Sequence, residues 1–181
     1  MTVRELLARA ALYVGDKRCR YRLGGGSPWT APVPWDEGGG CDCSGFACWS
    51  LGLARHQPSL VFLRAVTGGW LSTDGIWWDA VLERTGFFER QDGPEVGGIV
   101  VYPSARIGGL NGIKGLPTVG HVGIVSAVAG GVRVIHCSAG NYRRTGAAID
   151  ETDGAVFRRA GAVFAWCAAV ERDEPPAPSI L

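Results

Sequence analysis

The chain has 181 residues and a formal net charge of +1, with 46% hydrophobic and 19% charged residues. This length and hydrophobic content predict one globular domain with its own core, and they exclude a disordered chain. A net charge so close to zero gives no strong field to attract nucleic acid or an anionic membrane surface, so we expect neither as a partner.

The N-terminal residues do not resemble a secretion signal. Glu5 and Arg9 interrupt the apolar segment that such a signal needs. No apolar run approaches the ~18 residues of a membrane span. We therefore expect a protein without a membrane span that is made in the cytoplasm without a secretion signal. In that setting its six cysteines are expected to be mostly free thiols rather than a disulfide scaffold.

The N-terminal half predicts helices. Apolar residues at helical spacing indicate an amphipathic helix over 3–14. Asp42 is a good N-cap for a second helix over 43–53. Two further helical segments are predicted at 58–66 and 75–85.

The pattern changes to strands in the C-terminal half. A short apolar run predicts a strand at Ile99–Tyr102, followed by a long glycine-rich loop over 103–120. Two β-rich runs at 121–128 and 132–138 are separated by a turn sequence and read as a hairpin, and 162–170 predicts one more strand.

Helices that precede strands in this way favour an α+β fold with an antiparallel sheet. We assign residues 1–170 to a single domain and residues 171–181 to a Pro-rich mobile tail.

Cys43 is the first candidate for chemistry. It stands at the predicted start of a helix, where the positive end of the macrodipole favours a thiolate nucleophile. Asp42 is positioned to cap that helix, and Gly45 is expected to leave room for a substrate. The alternative for a single cysteine is a small buried side chain in an ordinary helix.

A thiolate nucleophile needs a base, and two histidines lie on the predicted hairpin. If the turn centres between 129 and 130, His136 faces Gly123, and His121 is its diagonal neighbour on the same sheet face. A turn centred on 130–131 keeps the face but widens the offset to four residues. As diagonal neighbours, one imidazole can act as the base and the other can orient it, and the sequence leaves the register open.

Five motifs occur in the order found in a known family. They are Tyr-x-x-Gly-Gly at 21–25, Asp-Cys-Ser-Gly-Phe at 42–46, a looser Pro-containing strand entry at 94–100, Gly-His-Val-Gly-Ile-Val at 120–125 and Val-Ile-His at 134–136. Together they resemble the NlpC family of cell-wall cysteine peptidases, a branch of the papain-like superfamily. The resemblance covers about residues 3–140.

This resemblance implies a papain-like fold, with N-terminal helices packed on a central antiparallel sheet. It implies that Cys43 is the nucleophile, His121 the general base and His136 the third, orienting residue. It also implies a cysteine peptidase or amidase that hydrolyses an amide of the peptidoglycan stem peptide, after γ-D-Glu, through a thioester. No cofactor is expected.

The same resemblance implies three substrate-binding residues. Tyr21 matches a tyrosine that assists the oxyanion or holds substrate, although a half-buried aromatic would look the same in the sequence. Asp42 and Ser44 match positions that hold the free amine and backbone of a peptide. A plain N-cap remains an equal alternative for Asp42.

Several alternatives stay open. The segment between Cys43 and His121 is longer than is usual in the family, which leaves the exact substrate open. The protein could be a papain-fold acyltransferase, an amide hydrolase on a non-wall substrate, or a catalytically silent phage-tail or structural homologue. Metal binding by Cys41, Cys43, Cys48 and a histidine is not expected, because the paired Cys-x-x-Cys spacing of zinc sites is missing.

A wall enzyme without a secretion signal needs another route to its substrate. Cell lysis, a phage tail and injection would each bring it to the wall or periplasm, whereas a wall-recycling enzyme would stay in the cytoplasm. An inhibitor or immunity protein is an expected partner if the protein is an injected toxin.

Overall fold

The computed structural model describes residues 1–60, 63–64, 67–83, 85–104 and 119–172. The α-helices with described bounds are α1 (Val3–Ala11), α2 (Cys43–Ser50), α3 (Thr73–Leu82) and α4 (Ala139–Thr145). The strands are β1 (Arg20–Tyr21), β2 (Gly40–Cys41), β3 (Phe88–Gln91), β4 (Ile99–Tyr102), β5 (His121–Ala127), β6 (Arg133–Cys137), β7 (Ile149–Thr152) and β8 (Val163–Cys167).

Six of these strands form one antiparallel sheet in the order β3-β8-β4-β5-β6-β7. β1 and β2 form a separate parallel pair, with Tyr21 opposite Cys41. A short 3-10 helix, Ala155–Phe157, follows β7. Neighbouring strands of the large sheet are all antiparallel, which confirms the predicted α+β fold and fits a papain-like arrangement.

The two faces of the sheet carry different layers because side chains alternate along each strand. On β4, Ile99 and Val101 pack into the main core with α2, whose eight residues are all buried. Val100 and Tyr102 point to the opposite face and pack with Val134 and Phe157 in a smaller cluster. The main core therefore lies between the helices and the sheet, and the candidate site lies where α2 begins.

Local signals explain where the helices begin. Thr2 caps α1 in a capping box with Glu5. Asp42, Ser72 and Ser138 cap α2, α3 and α4 through their side chains, each accepting from an N–H in the first turn.

The predicted elements are mostly present, with shorter bounds. The strand at Ile99–Tyr102 is observed with the predicted bounds. The prediction missed β3, β7 and α4, which are short polar segments without clear periodicity. The predicted helix at 58–66 lies partly outside the described residues, although Leu63 and Arg64 are helical. Most of the predicted loop at 103–120 also lies outside them.

The N-terminus packs against the last described residues of the chain. The N-terminal ammonium donates to the Ala169 carbonyl at 2.9 Å, and the N–H of Glu171 donates to the Met1 carbonyl at 2.8 Å. The Arg172 guanidinium lies 4.7 Å from the Trp166 ring centroid. The first two residues of the predicted tail therefore pack on the domain, and residues 173–181 lie outside the described residues. In the described part of the chain, no helix is long and apolar enough to cross a membrane.

Candidate active site

Cys43 is the first residue of α2, as predicted. The Asp42 carboxylate caps the helix by accepting from the N–H of Gly45 at 2.6 Å. The Cys43 side chain is almost completely buried, and its Sγ lies 4.0 Å from the Gly120 carbonyl oxygen. Because Gly120 immediately precedes His121, this contact brings the start of the helix against the start of β5.

The two histidines meet across the hairpin in the first of the two predicted registers. Ile124 pairs with Ile135, which puts Gly123 opposite His136. The shared face is confirmed by direct contact, since Nε2 of His121 lies 2.8 Å from Nδ1 of His136. A register shift between Val125 and Ala127 lies closer to the turn and leaves this pairing unchanged.

Gly123 is what allows the two rings to meet. A Cβ at this position would lie 3.0 Å from both His136 Cβ and Phe157 Cζ, closer than real Cβ atoms normally approach. It would also collide with Val134. We infer that glycine is required here because the histidine pair and Phe157 occupy the space of a side chain.

The pair continues into a third polar group. Nε2 of His136 lies 3.1 Å from the Thr152 hydroxyl on β7. If His121 is to take a proton on Nδ1, its Nε2–H must donate to Nδ1 of His136, and Nε2–H of His136 then donates to Thr152. This assignment of tautomers gives the other three ring nitrogens a hydrogen-bond partner and leaves Nδ1 of His121 free to act as a base.

Aromatic rings enclose the pair. The Phe157 ring stacks on His121 with centroids 5.0 Å apart and an interplanar angle of 14°. It meets His136 edge-on at 5.4 Å. Tyr102, which pairs with His121 across the β4–β5 ladder, places its ring centroid 6.0 Å from that imidazole. These contacts fix both rings and exclude water from them.

Burial keeps the candidate nucleophile and base neutral in this conformation. It raises the pKa of Cys43 to about 12, assisted by the Asp42 charge, although the N–H groups of Val122 and Ser44 act in the opposite direction. Burial also lowers the pKa of His121 to about 3 and that of His136 to about 4. The thiolate expected from the helix dipole is therefore outweighed by desolvation. The geometry suits a thiol that gives up its proton during attack.

Asp42 and Ser44 are buried and already engaged by the protein. One Asp42 oxygen accepts from Gly45 and Ser44, and the other accepts from the N–H of Gly24 and from Arg55 at 3.1 Å. Arg55 also donates to the Ser44 hydroxyl at 3.0 Å. The structure thus gives Asp42 the N-cap role, and substrate contact by Asp42 or Ser44 stays a prediction.

Gly45 has a different role from the predicted one. A Cβ there would lie 2.5 Å from the Gly25 carbonyl oxygen and 3.2 Å from the Arg55 guanidinium. Its missing side chain makes room for the Gly24–Gly25 loop and for Arg55, rather than for a substrate. Arg55 fixes that loop by donating to the Gly25 carbonyl at 2.7 Å.

Tyr21 stands close to the candidate nucleophile. It is half-buried on β1, and its pKa is raised by burial, then by the charge that Cys43 would carry as a thiolate and by the charge of Asp42. A neutral phenol next to Cys43 is a hydrogen-bond donor at neutral pH. The position fits the predicted part in binding the oxyanion or the substrate, which stays a prediction.

Sequence reasoning missed four residues of the site. Tyr102 and Phe157 enclose His121, Thr152 contacts His136, and Arg55 pairs with Asp42. Tyr102 is the last residue of a predicted strand, and His121 is the first residue of the next one. Antiparallel pairing of these two strands would have placed Tyr102 beside His121. Phe157 and Thr152 lie in segments without a recognisable pattern. Among the described residues, no group of three or more His, Cys, Asp or Glu side chains is arranged to hold a metal ion.

Comparison with known families identifies the family of this chain. The CHAP domain matches residues 33–141, about three-fifths of the chain, and this segment includes Cys43, His121 and His136. The chain belongs to the CHAP domain family. No curated protein matches it.

CHAP domains are found in NlpC/P60-like and amidase cell-wall hydrolases. The predicted kinship with papain-like cell-wall peptidases is confirmed at this level, and the NlpC subtype stays a prediction. The family supports a hydrolase of the cysteine peptidase or amidase class that acts on peptidoglycan.

Proposed function

We propose that this CHAP domain hydrolyses an amide bond of the peptidoglycan stem peptide, the bond that follows γ-D-Glu, with Cys43 as nucleophile. The observation that carries the proposal is the hydrogen-bonded His121–His136 pair at 2.8 Å beside a cysteine that starts a buried helix. A nucleophile, a base and a group that orients the base are the parts that thiol hydrolysis needs.

The first half of the reaction forms a thioester. As Sγ of Cys43 attacks the amide carbon, its proton moves to Nδ1 of His121, and His136 holds the ring through Nε2. The carbonyl oxygen becomes an oxyanion near the N–H of Cys43, which has no intrahelical partner because it begins α2. When the C–N bond breaks, His121 returns the proton to the leaving amine.

The second half releases the acid. Water attacks the thioester carbon while His121 removes its proton, and a second oxyanion forms at the same place. The C–S bond then breaks, and the thiolate takes the proton back from His121. The enzyme returns to its neutral state, and the net reaction is amide plus water to acid plus amine.

Tyr21 supports this scheme as a neutral phenol, and we expect it to donate to the oxyanion or to the peptide. The route to the wall is part of the proposal too: lysis, a phage tail or injection would bring the protein to its substrate. A recycling role would place its substrates in the cytoplasm.

The test is digestion of stem peptides and of intact sacculi, with products identified by mass. We expect Cys43→Ala to abolish cleavage while circular dichroism and unfolding remain those of a folded domain. Cys48→Ala is the matched control, since Cys48 lies in the same helix with a buried thiol and should keep most of the activity.

Two outcomes would contradict the proposal. Release of sugar reducing ends without peptide cleavage would exclude the amide hydrolase class. Retention of peptide cleavage by Cys43→Ala would exclude Cys43 as the nucleophile.

A further inference from the structure

A cavity of about 470 Å³ lies on the sheet face opposite α2. Its apolar lining includes Val100 and Val134 from the sheet, together with Phe157 and Phe164. Two consecutive arginines, Arg158 and Arg159, stand at its exposed rim. A volume of this size suits a peptide side chain or a short peptide segment.

The cavity shares a wall with the candidate base. Phe157 lines the cavity and also stacks on the His121 imidazole, 5.0 Å between centroids. Tyr102 contacts the same imidazole and packs against Phe157 at 6.0 Å. A substrate held in the cavity would therefore lie one aromatic ring away from His121.

The rim carries unneutralised positive charge. Nε of Arg159 donates to the Val156 carbonyl at 3.1 Å, which holds the guanidinium near Tyr102, with Cζ 5.8 Å from that ring centroid. In the described part of the chain, neither Arg158 nor Arg159 has a carboxylate within ion-pair distance. The nearby Asp153 is an acidic lining residue, and its carboxylate accepts from the N–H of Ala155 at 3.0 Å.

In the described part of the chain, these two guanidinium groups have no ion-pair partner, and they stand over an apolar floor. Such a site matches an aliphatic chain that ends in a carboxylate. A cationic or purely apolar group would leave the arginines without a partner, whereas a carboxylate accepts the paired N–H groups of a guanidinium. The net charge of the rim is positive because it holds two arginines and one aspartate.

We propose that this cavity is a specificity subsite for a carboxylate of the substrate peptide, and that Arg159 is its specificity-determining residue. The inference rests on the proposed function, and it states which group of the substrate the enzyme would recognise. A glutamate linked through its γ-carboxyl keeps its α-carboxylate free, and three carbon atoms separate this group from the carbonyl carbon of the scissile amide. Arg159 lies near Tyr102, whose ring stands beside His121.

The experiment compares two synthetic tripeptides, L-Ala-γ-D-Glu-diamino acid and the same peptide with the glutamate α-carboxylate converted to an amide. We expect the amide to raise KM about tenfold for the wild-type enzyme, with little change in kcat. Arg159→Gln should raise KM for the acid by a similar factor and leave KM for the amide unchanged. Arg159→Lys should restore part of the preference.

Arg90→Gln is the matched control, because Arg90 is an exposed arginine on β3 outside the lining of the cavity. It removes the same charge and should leave the acid-over-amide preference as it is in the wild type. Equal acid-over-amide preferences in the wild type and Arg159→Gln would overturn the inference, even if both enzymes cleave the peptides.

A binding measurement separates this inference from the proposed function. Calorimetry on Cys43→Ala, with and without Arg159→Gln, reports binding of the two peptides without any need for turnover. Tighter binding of the acid that is lost in Arg159→Gln would support the subsite whether or not the wild type cleaves that bond. Absence of any difference between acid and amide would overturn it.

Discussion

Two buried polar clusters lie beside the start of α2. One is an ion pair, and the other is a pair of neutral imidazoles. On one side, Asp42 and Arg55 form an ion pair at 3.1 Å with side chains only 4% and 16% exposed. On the other side, His121 and His136 are 6% and 2% exposed. Burial lowers the pKa of both histidines, so they are neutral at physiological pH.

The difference shows how a structural cluster and a reactive cluster can be told apart. Asp42 and Arg55 bind each other and connect the helix cap to the Gly24–Gly25 loop. The histidine pair has one ring nitrogen left for chemistry and can take up a proton for the lifetime of an intermediate. The ion pair on one side thus holds the helix in place for a proton transfer on the other.

Breaking the charged cluster should have the largest effect on folding. Arg55→Gln leaves the Asp42 carboxylate buried without its partner, and the loss of one member of a buried pair costs about 3 kcal/mol or more. We expect a decrease of that size in the free energy of unfolding, measured by urea titration with tryptophan fluorescence.

The control for this prediction is an exposed ion pair. Arg133→Gln breaks the Arg133–Glu151 contact, whose side chains are 44% and 36% exposed, and should cost less than about 1 kcal/mol. Equal losses for the two variants would mean that Arg55 contributes no more than a surface residue and that the cluster does not hold α2.

The neutral histidine pair should make the free energy of unfolding depend on pH. Because the pKa of His136 is about 4 in the folded protein and near 6.5 when unfolded, the unfolded state binds more protons between these values. Stability is therefore fully present above pH 6.5 and decreases as the pH falls towards 4. His121, whose pKa is about 3 in the folded protein, should likewise decrease stability as the pH falls.

Each buried histidine should contribute a slope of up to about 1.4 kcal/mol per pH unit. We expect His136→Gln to remove one such contribution from the difference in unfolding free energy between pH 7 and 5.5. That interval lies above the range in which most carboxylates take up protons. His56→Gln, which replaces an exposed histidine, is the control, and an unchanged slope in His136→Gln would argue that His136 is charged in the folded state.

The two clusters were not equally accessible from the sequence. The shared face of His121 and His136 was predictable because strand alternation puts both on one face in either register, whereas the register itself was left open. Arg55 was not, because its contact with Asp42 depends on how the chain returns after α2, and no local pattern encodes that path. The burial of Cys43 was not predictable either: the helix start favours a thiolate, whereas burial in the packed structure raises the pKa of this thiol.

The smallest effect should come from the end of the histidine chain. Thr152→Val keeps the shape of the side chain but removes the hydroxyl that lies 3.1 Å from Nε2 of His136. His136 would then orient His121 less firmly, and we expect kcat to fall about fivefold with KM unchanged. Thr152→Ser restores the hydroxyl and should recover most of the loss. Ser126→Ala removes another hydroxyl of the same sheet, one bonded to Glu151 at 2.6 Å, and should leave kcat near that of the wild type. A loss in KM instead of kcat, or no recovery in Thr152→Ser, would show that Thr152 acts through the fold rather than through His136.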